Sequence, residues 1–250
     1  MNKTISYLIA LVALLLTGLG SSAQSGATPY LNSTHTYNSA KSTVLTGTTL
    51  VWSLSEGGTL TEIKGANLSA TVLWTAIGVH TVTVTETTLD GCSTKRDFPV
   101  TVTSNIFDLT ITAPGIACAA GSGTVIANGA LSPGNTTVVF TVAVAGNIGK
   151  TSTFDYALTS ISTAVISSVT INNGIYSGPL VTGDNLTIPV SVNTFTVSVV
   201  IASRFDTIDD LKLTISDGKD FYGTPENNAL DNTGTATVNA VPNTSSITTD

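Results

Sequence analysis

Between Thr71 and Thr103 the chain alternates apolar and hydroxyl residues with a period of two. Val72 and Trp74 share one face of a first segment. His80, Val82 and Val84 share one face of a second, and Phe98, Val100 and Val102 one face of a third. A helix would need apolar residues three or four apart; a period of two belongs to a strand with one face in a core. Asp90-Gly91 supplies a turn where positive φ is needed. The stretch therefore predicts three short strands and an all-β chain.

The same reading extends in both directions. Residues 24–40 are rich in Ser, Gly, Thr and Asn and lead into a first edge strand. Residues 43–54 predict a strand with Trp52 and Leu54 on one face, broken by Glu56-Gly57-Gly58. Thr59–Ile63 is a short strand and Gly65-Ala66-Asn67 a turn. Short strands with closely spaced turn signals predict a sandwich ending near Ser104. Beyond Asn105 the one-face sets are Phe107/Leu109/Ile111, Val138/Phe140/Val142/Val144, Phe154/Tyr156/Leu158 and Val165/Val169/Ile171. Asn173-Gly174 is a hairpin signal. Then follow Leu186/Ile188/Val190/Val192, with Pro189 marking an edge strand, and Phe195/Val197/Val199/Ile201. Leu211/Leu213/Ile215 is closed by Asp217-Gly218, and a last strand runs near Thr235 to Val241. No stretch has helical periodicity. The expected architecture is two tandem immunoglobulin-like β-sandwich domains behind a signal peptide: leader 1–23, first sandwich 24–104, second immunoglobulin-like or jelly-roll sandwich 105–242, polar tail 243–250.

The leader rests on Lys3, the apolar run Tyr7–Leu16 and the small residues Ser21-Ser22-Ala23 before Gln24. The apolar run is shorter than the ~20 residues of a membrane span, so no span is expected after cleavage. An exported, secreted or cell-surface chain follows. Net charge is −7, from 9 Lys+Arg against 16 Asp+Glu, with no basic cluster after the leader. Nucleic-acid binding, which displaces counterions with Lys and Arg, is excluded on that ground. The two cysteines, Cys92 and Cys118, are expected to pair in an oxidising compartment and staple the two domains, with free or intermolecular thiols as the alternative.

Trp52-Ser53-Leu54-Ser55-Glu56-Gly57 resembles the W-x-F-G-D-G signature of PKD domains. Gly78-Val79-His80-Thr81-Val82-Thr83-Val84 resembles their G-x-Y-x-V-x-V strand, with His80 at the Tyr position. The segment Gly65 to Trp74, then Gly91-Cys92, is similar to PKD-like modules of Bacteroidetes surface and gliding-associated proteins. The resemblance covers roughly residues 30–104. It implies an immunoglobulin-like sandwich used in adhesion, spacing, or contact with proteins and carbohydrates, and no catalysis.

Candidate chemistry is sparse. The only histidines are His35 and His80, and no nucleophile–His–carboxylate motif accompanies either. The acids Asp206, Asp209, Asp210, Asp217 and Asp220 concentrate around Leu211–Ile215. That strand separates its flanking groups by roughly 17 Å. Asp206, Asp209 and Asp210 are the candidate calcium ligands, against a plain reading as solvated loop acids; no other cofactor is implied. Asp206-Thr207-Ile208 also matches a short O-glycosylation pattern. The expected function is a non-catalytic cell-surface or extracellular interaction module, of adhesion, matrix or motility apparatus, binding a surface protein or glycan. The alternatives are a carbohydrate-binding accessory module using Tyr176, Phe205, Phe221 and Tyr222, and a self-associating subunit with uncharged strand edges.

Overall fold

The computed structural model describes residues 25–41, 47–62, 68–118, 121–125, 131–146, 149–161, 165–179, 181–202 and 208–240. The leader, the turn at 65–67, Phe205, Asp206, Thr207 and the tail 243–250 lie outside the described residues. The described chain is all-β and forms two compact units: the described residues of 25–30 with 35–103, and those of 31–34 with 104–240. No helix among the described residues is long and apolar enough to cross a membrane.

Unit 1 is an immunoglobulin-like sandwich. Its strands are β1 (Thr34–Asn38), β2 (Thr49–Leu54), β3 (Gly58–Glu62), β4 (Ser69–Trp74), β5 (Gly78–Thr87) and β6 (Ser93–Val102). They form two three-stranded sheets, ordered β1-β4-β3 and β2-β5-β6. This is the B-E-D and C-F-G arrangement of the immunoglobulin topology. Ahead of β1, the lead runs parallel to β6: Thr101 N donates to Ala27 O at 2.9 Å and Thr103 N to Pro29 O at 2.9 Å. The period-two faces meet between the layers. Val72, Trp74, Val82, Val100 and Val102 are buried, each such side chain contributing about 1.5–3 kcal/mol. Phe98 keeps the face of Val100 and Val102, opposite Val82 in an unbroken register, but is 45% exposed. It sits at the rim, on edge strand β6, beside Tyr37 of edge strand β1 with ring centroids 5.7 Å apart.

Unit 2 packs two five-stranded sheets. Its first strand divides between them. β7 (Asp108–Thr112) pairs antiparallel with β11 (Asn135–Ala145). After Gly115, at φ +78°, β8 (Ile116–Cys118) pairs parallel with β18 (Thr233–Asn239) in the other layer. A β9–β10 ladder (Gly121–Val125 with Leu131–Pro133) follows. The remaining strands are β12 (Ser152–Ser160), β13 (Ile166–Ile171), β14 (Tyr176–Gly178), β15 (Thr182–Ile188), β16 (Thr194–Ala202) and β17 (Asp209–Lys219). Sheet orders are β14-β13-β16-β11-β7 and β15-β12-β17-β18-β8. The core is the sum of the alternating faces. Phe140 and Val142 of β11, Phe154 of β12 and Phe195, Val197, Val199 and Ile201 of β16 are fully buried. Phe154 and Phe195 meet across the layers at 5.2 Å.

Three local expectations change. Val165 is 64% exposed, because the β13–β16 register shifts between Ile166 and Ser168 and throws the preceding residue off the core face. Val190 is half exposed, because β15 stops at Ile188 before Pro189 and the chain turns through Ser191 at φ +66°. Asp217-Gly218 does not close β17. The strand bulges there, Asp217 at φ +50°, and pairs on to Lys219.

Candidate functional site

The described chemistry of unit 2 concentrates where the loop Asp220–Asn232 returns across the start of β7. The loop is shaped locally. The Asp220 carboxylate accepts from Tyr222 N at 2.9 Å and Thr224 N at 2.7 Å, and Gly223 takes φ +72°. This is a side chain imitating a backbone turn. The loop is then pinned to β7 and its lead: Asn227 N donates to Phe107 O, Ile111 N to Asp231 O, and Asn105 Nδ2 to Pro225 O at 2.6 Å.

This path brings together three acids that are remote in sequence. Asp108, Glu226 and Asp231 each offer an oxygen, all within 4.8 Å of one another. Glu226 Oε1 accepts from Leu109 N at 3.0 Å, and its Oε2 from Asn232 Nδ2 at 2.5 Å. Thr110 Oγ1 lies 3.3 Å from Asp108 Oδ2 and 3.2 Å from Asp231 Oδ2. A hydroxyl has one proton, so it can donate to only one of them at a time. Three further oxygens, Asp108 Oδ1, Asp231 Oδ1 and Asn232 Oδ1, are buried and meet no donor. Burial pushes the Asp108 carboxyl above its ordinary range, and the Asp231 charge adds to this. Glu226 is pushed up by burial, against hydrogen bonds from Asn232 and Leu109 and with Asp108 and Asp231 adding. A groove of about 310 Å³, bordered by Ser216, Lys219, Pro225 and Thr233, runs past Glu226 and Asn232.

The arrangement suits cation binding better than catalysis. A glycosidase pair must flank a scissile bond with room for a sugar, whereas the inner oxygens of Asp108 and Asp231 have no solvent access. Both histidines are committed to the core of unit 1. His80 stacks on Trp74 at 5.5 Å, its Nε2 3.0 Å from Ala76 O, and burial lowers His35 to about 4.

The residues singled out in the sequence are placed differently. Asp209 is buried at the start of β17, and Asp210, on the opposite face of the strand, accepts from Thr237 Oγ1 at 2.6 Å. Asp206 and Thr207 lie outside the described residues. Cys92 and Cys118 are exposed free thiols, without the bond expected between them; one follows the turn after β5 and the other ends β8, in different units. Phe221 is 56% exposed, but Lys150 Nζ covers its ring at 4.9 Å and Tyr222 meets it edge-on. Tyr176 packs beside Tyr156. Sequence reasoning missed Asp108, Glu226, Asp231 and Asn232. Their signal was the Pro-Glu-Asn-Asn-Ala-Leu-Asp-Asn run at 225–232, which joins Asp108 only through the sheet topology.

Unit 1 carries a second feature, a groove of about 480 Å³ between β1 and the β2-β5-β6 sheet. Tyr37 and Phe98 supply its aromatic wall, and Asn38, Arg96 and Asp97 its polar rim. Asp97 accepts from Thr83 Oγ1 at 2.7 Å, which with neighbouring Lys95 holds its carboxyl below the ordinary range.

No protein-family model and no curated protein matches the chain. Among solved structures it is similar to the fibronectin(III)-like modules of Clostridium thermocellum CbhA, at 11% identity over 88% of this chain and 92% of that one, TM-score 0.29. It is similar also to the Yersinia pseudotuberculosis adhesin InvE, at 16% over 86% and 57%, TM-score 0.28. The Bacillus cereus major pilin subunit BcpA follows at 13% over 84% and 69%, TM-score 0.33. At these scores the likenesses carry neither a ligand nor an activity to this chain.

Proposed function

We propose that the chain is an exported, non-catalytic interaction module of the cell surface or extracellular space, with unit 1 a PKD-type sandwich that contacts a protein partner through its groove. The observation that carries this reading is the groove itself. Phe98 stands exposed at the sandwich rim beside Tyr37, with Arg96 and Asp97 next to it. An aromatic anchor beside an Arg is the composition enriched at protein contact sites. The immunoglobulin strand order, the buried Trp52 and the core position of His80 support the PKD-type assignment. The leader at 1–23 supports export.

Less supports the two competing readings. A sugar platform needs open aromatic faces, and Phe221 has its face under Lys150. Edge-to-edge self-assembly needs long, uncharged edges. Edge strand β6 carries Lys95, Arg96 and Asp97, edge strands β8 and β14 are three residues each, and the uncharged edges β1 and β2 are five and six residues long.

The test places a photo-crosslinking residue at position 98 of the full chain in its native host, alongside surface biotinylation. Biotin labelling and a discrete protein adduct that Arg96→Ala removes are expected. An enzymatic activity of the purified chain that disappears on substituting a single acid would overturn the reading.

A further inference from the structure

We propose that Asp108, Glu226, Asp231 and Asn232 form a calcium site that ties the loop Asp220–Asn232 to the start of β7. Three carboxylates from distant parts of the chain converge within 4.8 Å. The ion pair found among the described residues, Lys95 with Asp97, lies in unit 1 and offers them no compensation. Half-buried carboxylates at this spacing repel one another, and a cation among them relieves the repulsion without protonation.

The second observation is Asn232. Its side chain is buried, at 4% exposure, with its amide against Glu226 and its Oδ1 facing no donor. Turning the amide over would set Oδ1 against Glu226 Oε2, two acceptors that a shared cation reconciles. The inner oxygen of Asp231 is in the same condition, buried and without a donor, while the Asp108 carboxylate has the Asn228 backbone N–H beside it. Buried acceptors are nearly always satisfied by protein, water or an ion, and acceptors gathered at one carboxylate cluster suit a cation.

The donor chemistry selects the ion. Every ligand is a carboxylate or amide oxygen, which suits a hard cation and not zinc, whose sites use His and Cys. Magnesium needs a near-ideal octahedron and keeps most of its waters. A site made of buried protein oxygens with irregular spacing suits calcium. The backbone bonds of the loop to Phe107 and Ile111 hold the ligands in place before the ion arrives.

The inference is independent of the partner-binding reading, and its test uses the full chain after chelator treatment. Calorimetric titration with calcium chloride is expected to show one site per chain, with magnesium at least tenfold weaker. Scanning calorimetry is expected to show the unit 2 transition rising by roughly 5–10 °C at a hundredfold calcium excess over Kd. The double variant Asp108→Asn/Asp231→Asn is expected to lose both responses, and Asp209→Asn/Asp210→Asn to keep them. Terbium luminescence sensitised by tyrosine, and calcium-dependent protection of residues 220–232 from protease, test the parent chain without any substitution. No calcium heat and no shift in the parent, or a response that survives in Asp108→Asn/Asp231→Asn, overturns the assignment.

Discussion

Trp74 and His80 stack across the two sheets of unit 1, ring centroids 5.5 Å apart and planes inclined by 26°. Trp74 is fully buried, and His80 is fixed from the other side by Ala76 O. Gly57, at φ +82°, passes so close that any β-carbon there would fall within the imidazole. Gly57 is thus required twice, for its backbone conformation and for the space it leaves to His80.

Gly57→Ala is therefore expected to destabilise unit 1 by about 2–4 kcal/mol, combining the strain of positive φ with overpacking. Urea unfolding followed by tryptophan fluorescence reads unit 1 directly, since Trp52 and Trp74 both lie there. An unchanged midpoint would mean that His80 leaves its stack at little cost.

Much of this fold was legible because its determinants are local. The alternation in Val138–Val144 and Phe195–Ile201 has one physical solution, a strand with that face inward, and every one of those alternate residues is buried. Asn173-Gly174, at φ +59° and +73°, is the turn its residues demand. What escaped depends on remote partners. The exposure of Val165 follows from a register shift against β16, and that of Phe98 from its place at a rim. Asp108 lies between Phe107 and Leu109, on the outward face of a strand, and nothing local singles it out. It becomes part of a carboxylate cluster only because β7 lies beside a loop more than a hundred residues later.

Tyr37 offers a sharper test of how the Trp74 core is held. Its hydroxyl accepts from Trp74 Nε1 at 3.2 Å and donates to Gly26 O at 2.7 Å, and burial pushes it up to about 12. Tyr37→Phe keeps the ring beside Trp74 and Phe98 but leaves the indole N–H buried without its acceptor. The expected cost is about 1–3 kcal/mol, read as a lower urea midpoint. A neutral result would mean that the ring contacts, and not the hydroxyl, hold the strand in place.

The acid sensitivity of unit 1 should be set by His35. Burial in β1 lowers the histidine to about 4, whereas in the unfolded chain it titrates near 6.5. Between those values the unfolded chain binds a proton that the native chain refuses, so stability falls as pH falls. The contribution is fully present above about pH 6.5 and lost progressively down to about pH 4, amounting to roughly 2–3 kcal/mol. Urea midpoints by tryptophan fluorescence at half-unit pH steps from 7.5 to 4 should trace this decline. His35→Gln, which cannot take the proton, should flatten it. A variant that declines as steeply as the parent would assign the acid sensitivity to other groups in unit 1.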